Sequence, residues 1–125
     1  MIKSRFIFFV ILTLIVLPNY VWAGWGMQYI ETGSGNRTVG WHTSLKLDTS
    51  GYPCLAYQET WPNFDARFAR WNGITWETEA VKTIEFNEGD FTSLALDTQN
   101  NPHIAFYRSE TSALVYATKN GTGWR

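Results

Sequence analysis

At 125 residues the chain is long enough for one domain, and its formal net charge of −1 leaves no electrostatic footprint for nucleic acid or an anionic membrane. Aromatic residues make up 17% of it, with 7 Trp and 8 Phe, and charged residues only another 17%, a balance that suits a β-rich extracellular module better than a helical bundle. The single cysteine, Cys54, excludes an intrachain disulfide and a cysteine-based metal site, and reads as a small half-buried strand residue.

Met1–Ala23 reads as a secretory signal peptide. Lys3 and Arg5 form a positive start, residues 6–17 are apolar except Thr13, Pro18 and Asn19 break the run, and Val21 and Ala23 sit where a cleavage site before Gly24 wants small or medium side chains. The apolar run is short for a membrane span, so contact with a membrane is expected only if this segment stays uncleaved. Export to the periplasm, the cell surface or the medium follows. The mature part, 24–125, is the folded module.

Residues 25–31 look like a strand, with Trp25, Gln28 and Ile30 parallel to Trp76, Glu79 and Val81. A Gly/Ser/Asn-rich loop spans 32–40. Thr43–Asp48 alternates, placing Leu45 and Leu47 on one face of a half-buried strand. Asp48 to Pro53 is a turn, and 53–58 is a short aromatic strand. A longer loop, 59–65, carries Trp61, Pro62 and Phe64. A third strand covers 66–71, Asn72-Gly73 is a hairpin turn, and a fourth strand covers 76–84. The cycle then recurs: strands at 93–97, 103–107 and 113–119, a second hairpin turn at Asn120-Gly121, and the start of another fourth strand at Trp124. No stretch reads as an amphipathic helix.

Recurrence outranks any local reading. Thr43-Ser44-Leu45 through Asp48-Thr49 returns as Thr92-Ser93-Leu94 through Asp97-Thr98, 49 positions on, and Pro53 and Ala56 return as Pro102 and Ala105. Asn72-Gly73 and Trp76 return 48 positions on as Asn120-Gly121 and Trp124. A period in this range belongs to a propeller blade or a solenoid unit, and four short strands joined by tight turns select the blade. The predicted fold is all-β: two four-stranded antiparallel blades of a β-propeller, at about 43–84 and 92–125, with an outer-type strand at 25–31. Asp48, Asp97, Trp76 and Trp124 are its structural repeat positions.

The run Ser93-Leu94-Ala95-Leu96-Asp97, followed by Asn101-Pro102-His103-Ile104-Ala105-Phe106-Tyr107 and Leu114 to Trp124, resembles the secreted bacterial and archaeal β-propeller repeats of the BNR, or sialidase-like, group. The resemblance covers nearly all of the mature chain. Gly73 with Trp76, and Gly121 with Trp124, match half of that group's Asp-box. The other half departs: Ala69-Arg70-Trp71-Asn72 and Ala117-Thr118-Lys119-Asn120 carry no Asp two places before the glycine. The resemblance therefore implies a blade more than an activity.

Glycosidase chemistry in that group needs an arginine triad, a Tyr/Glu nucleophile pair and an acid/base Asp. Arg37, Arg67, Arg70 and Arg108 are present, yet no spacing singles them out, and Arg67 and Arg70 are expected as solvated charges; no catalytic residue is assigned. Asp48 and Asp97 lack the alternating oxygen pattern of a calcium loop and are expected to cap strand ends as Asx turns; no metal or cofactor is expected. Trp41, Trp61 and Trp71 do not recur, and are the candidates for stacking on sugar rings or a protein partner, Trp61 foremost because it stands in a loop.

The reading is an exported, non-catalytic binding or scaffolding module for carbohydrate or protein. Its further blades are expected in cis or in trans. Alternatives are a fragment of a sialidase-like hydrolase and a short two-blade lectin that assembles into a ring. Because the sequence stops as a fourth strand begins, a truncated chain is expected, one that aggregates or folds poorly unless copies close the ring.

Overall fold

The computed structural model describes residues 26–81, 88–121 and 123–125. These residues form eight strands and no helix: β1 (Val39–Leu47), β2 (Pro53–Glu59), β3 (Ala66–Trp71), β4 (Trp76–Ala80), β5 (Glu88–Leu96), β6 (Pro102–Arg108), β7 (Ala113–Asn120) and β8 (Gly123–Trp124). They make two four-stranded antiparallel sheets, each in chain order, β1-β2-β3-β4 and β5-β6-β7-β8. The signal-peptide segment and Trp25 lie outside the described residues, as do residues 82–87, which hold the end of the expected fourth strand.

The two sheets repeat each other in register. Leu45 pairs with Leu55 and Leu47 with Pro53; 49 positions on, Leu94 pairs with Ile104 and Leu96 with Pro102. The irregularities repeat as well. Ladder breaks on either side of Trp41 return on either side of Asp90, and positive φ angles at His42 (49°) and Phe64 (55°) return at Phe91 (56°) and Ser112 (53°). In both turns an aspartate caps the strand end. Asp48 Oδ1 accepts from the amides of Ser50 and Tyr52, and Asp97 Oδ1 from those of Gln99 and Asn101, at 2.8–2.9 Å. These are Asx turns, which use the carboxylates internally.

Period-2 alternation gives each sheet two faces. The face of the second sheet bearing Leu94, Ile104, Phe106 and Ala117 packs on the face of the first bearing Cys54, Ala56, Ala66 and Phe68, and Val81 closes the same core. Ile104, Phe106, Cys54 and Ala56 are fully buried there, so Cys54 lies deeper than the half-buried place expected of it. The interface also carries polar ties. Ser44 Oγ accepts from the Leu94 amide (3.1 Å), Lys119 Nζ donates to Glu79 (2.7 Å), and Asn100 bonds Thr49 twice (2.8 and 2.9 Å).

Two expectations need correction. Leu45 and Leu47 are 55% and 62% exposed, although their repeat partners Leu94 and Leu96 are 2% exposed and half-buried. The alternation itself is present; among the described residues no second sheet lies over the leucine face of the first. Residues 26–31 form no strand, because the described chain places no edge beside them to pair with. Instead Ile30 packs with Val39 and Trp76 on the small cluster of Leu55, Tyr57 and Ala69, and Gln28 accepts from Trp76 Nε1 (3.1 Å).

Candidate functional site

At the end of the molecule where β1 and β5 begin and the β2–β3 loop turns, a groove of about 500 Å³ is lined by Trp41, His42, Gln58, Thr60, Phe64, Asp90 and Ser109. Its origin is the repeat. Trp41 and Asp90 are equivalent positions, as are Thr60 and Ser109, so the groove is the seam where equivalent rims of the two sheets meet. Bulges of this kind re-aim side chains at a sheet's rim. Gly40, with φ at 95°, and His42 reverse the alternation of β1, leaving the Trp41 indole 59% exposed.

The ring of His42 stacks on Phe91 of the neighbouring sheet, with centroids 4.4 Å apart, and Trp41 meets it edge-on at 6.3 Å. His42 Nδ1 and Gln58 Oε1 lie 3.1 Å apart, and Gln58 Nε2 donates to an Asp90 carboxylate oxygen. Because the Gln58 amide gives its N–H to Asp90, its oxygen faces His42, which makes Nδ1 the donor in that bond. Phe91 itself is 67% exposed. The groove thus combines flat apolar rings with oriented donors and acceptors, the mixture a pyranose needs for one face and its hydroxyl edge.

Of the three tryptophans singled out in the sequence, Trp41 lines this groove. Trp61, 57% exposed, stands in the loop whose ends, Thr60 and Phe64, also line it. Trp71 lies at the opposite end of the sheet, beside the β3–β4 turn, half-buried against Trp76 with ring centroids 5.6 Å apart. Trp76 and Trp124 are partly buried against the two hydrophobic clusters. His42, Gln58, Asp90 and Phe91 were not singled out. The signal was present in the pair His42/Phe91, which precedes the repeated Thr-Ser in both copies and differs in identity while agreeing in place.

The arginines are not the solvated charges expected. Arg67 bonds Glu31 (2.9 Å) and lies 3.2 Å from Glu59; Arg37 bonds Glu31 (2.5 Å) and Glu59 (2.8 Å). Arg70 donates to the carbonyl of Asn100. Tyr57 OH also donates to Glu31 at 2.5 Å, so a Tyr/Glu pair between two arginines does exist. Its electrostatics run against nucleophilic use. Burial, and next the bond to Glu31, push the Tyr57 phenol well above its ordinary range. Burial opposes ionisation of Glu31, but the bonds from Tyr57 and Arg37 and the charges of Arg67 and Arg37 outweigh it and hold its carboxyl below the usual range. A phenol harder to deprotonate beside a weaker base is a structural tie, here fastening residues 31–37 to the sheet.

That tie predicts a pH dependence. A depressed folded-state value means that the pairing stabilises the fold above the ordinary carboxylate range and is lost as pH falls through the depressed value. Melting curves from about pH 7 to about pH 3 should show Glu31→Gln less stable by about 1–3 kcal/mol at neutral pH and flatter on the acid side than the wild type. Parallel acid-side slopes in the two proteins would remove Glu31 from the account.

Among the described residues no group of three or more His, Cys, Asp or Glu side chains could hold a metal ion. Comparison with protein-family models, curated proteins and solved structures finds no match to the chain.

Proposed function

We propose that the chain is an exported β-propeller module of the repeat group it resembles, and that it acts as a non-catalytic binder of carbohydrate. Residues 1–23 support export. The in-register recurrence of the two sheets and their face-to-face packing support the blade reading. The observation that carries the binding role is the rim groove: the exposed Trp41 indole beside the oriented His42–Gln58–Asp90 chain, with Trp61 on the loop above. The hydrolase alternative would need a nucleophile from this chain or from further blades. Its nearest candidate here, Tyr57 with Glu31, is tuned the wrong way for it.

Tryptophan fluorescence titrated with a glycan panel tests the reading. At least one glycan should shift the wild-type spectrum, and Trp41→Ala should lose about 2 kcal/mol, roughly thirty-fold in Kd. Trp61→Ala should lose less, and Trp71→Ala should bind as the wild type does. A panel without a single responding glycan, or an unchanged Kd in Trp41→Ala, would end the carbohydrate reading and leave a protein partner as its successor.

A further inference from the structure

The interface between the two sheets is built from two unlike surfaces, and each sheet owns a copy of both. The leucine face of the second sheet (Leu94, Leu96, Ile104) lies on the cysteine face of the first (Cys54, Ala56, Phe68). By the repeat, the first sheet carries the same leucine face on its outer side, with Leu45 and Leu47 uncovered and Leu55 buried beneath Ile30, and the second presents the same cysteine face outward as His103, Ala105 and Tyr116. Both outer faces leave large apolar side chains uncovered: Leu45 and Leu47 are more than half exposed, and Leu114 and Tyr116 are 83% and 59% exposed.

We infer that these two faces are complementary to each other, and that a second copy of this chain docks head-to-tail, its leucine face on the Tyr116 face of the first, repeating between chains the contact made within one. The inference rests on the repeated-sheet part of the reading above and not on its ligand.

Three observations make a second copy the occupant. The first is continuity with an interface the chain already makes, at equivalent positions in the same order. The second is a serine that recurs: Ser44 Oγ accepts from the Leu94 amide inside the chain, and Ser93 stands at the Ser44 position on the outer face. The third is the segment at 26–31. Ile30 sits against Leu55, Tyr57 and Ala69 on the leucine face of the first sheet. Val81, at the end of the first sheet's last strand, sits against the leucine face of the second in the same way. Residues 26–31 therefore lie where the last strand of a preceding sheet would run, so this chain fills that place itself and the second copy meets the remainder of the face at Leu45 and Leu47.

The contact differs from its internal template at several positions: Trp41 and Tyr107 stand where Asp90 and Gln58 bond across the seam, and Trp71 stands at the place of Lys119. Gly51 replaces the bridging Asn100, and His103 and Tyr116, hydrogen-bonded to each other at 2.5 Å, replace Cys54 and Phe68. These differences make it weaker than the internal contact. Because the two surfaces are unlike, the contact is heterologous, and copies add in one direction until the rotation closes a ring or continues as a filament.

Sedimentation velocity of the purified chain over a concentration series tests this with two surface variants. Leu45→Arg blocks the leucine face and Leu114→Arg the opposite one; both side chains are exposed, so neither change burdens the monomer's core. The wild type should sediment as oligomers, and each variant alone as a monomer. An equimolar mixture of the two should form a 1:1 dimer and nothing larger, because only one intact pair of faces remains between them. A wild type that stays monomeric throughout, a variant that still associates alone, or aggregation that neither variant relieves would overturn the inference. Glycan titration of the monomeric variants keeps the two readings apart: binding can survive there while docking fails, and the reverse.

Discussion

Gly89→Ala should prevent the chain from folding, whereas Gly40→Ala, the same change one repeat earlier, should be survivable. Both glycines sit at the entry bulge of a first strand with φ in the range that favours glycine, 141° and 95°. Each substitution therefore carries backbone strain of about 1–3 kcal/mol. The difference lies in the neighbours. A Cβ on Gly89 would meet the backbone of the first sheet, at 2.8 Å from both the Ala66 Cα and the Asp65 carbonyl carbon, and closer still to the Ala66 nitrogen. A Cβ on Gly40 has no heavy atom within 4 Å. Backbone cannot step aside as a side chain can, so Gly89→Ala must push the sheets apart at β5. Circular dichroism and thermal melts of the two variants read the contrast directly; a Gly89→Ala protein as stable as Gly40→Ala would mean that the sheets do not approach there.

Phe106→Ala is the second large effect. Among the described residues Phe106 is the largest fully buried side chain, and it lies in the core between the sheets. Truncation should cost about 3–5 kcal/mol, from lost transfer energy and the cavity left behind. A small domain has about 5–15 kcal/mol in total, so urea melts should place this variant near the edge of folding. The repeat supplies the control. Leu94→Ala, in the same core, should cost about 2–5 kcal/mol, while Leu45→Ala, its exposed equivalent, should stay within about 0.5 kcal/mol in the monomer. Equal costs for the two leucines would contradict the packing described here.

Strand order, turns and register were legible because the repeat lends each local signal a second witness. Asp48 and Asp97, or Asn72-Gly73 and Asn120-Gly121, could each be dismissed singly and not as pairs. Burial was less legible. Alternation tells which residues share a face and not whether another sheet covers that face, which is why Leu45 and Leu47 were expected inside. Residues 26–31 carry a strand-like pattern, but a strand needs an edge to pair with, and sequence pattern does not report the edge. The groove was half legible. Trp41 and Trp61 stand out by chemistry. His42, Gln58 and Asp90 come together only because two rims meet across the sheet–sheet seam, at a sequence distance no motif spans. The ion network of Glu31, Arg37, Glu59 and Arg67 was hidden for the same reason, since its members come from a loop and two strands.

Cys54 allows the most direct test of the central claim, that the leucine face of the second sheet covers the cysteine face of the first. It is the only thiol in the chain and is fully buried at that interface. Its reaction with an aromatic disulfide reagent can be followed in native buffer and in urea, at protein concentrations low enough to keep the chain monomeric. A second protein, Cys54→Ala with His103→Cys, puts a thiol at the equivalent position on the open face. The account predicts that Cys54 is protected in native buffer and labels only as the fold opens, while the thiol at position 103 reacts at the rate of an accessible cysteine. Rapid labelling of Cys54 in native buffer, at the rate seen for position 103, would contradict it.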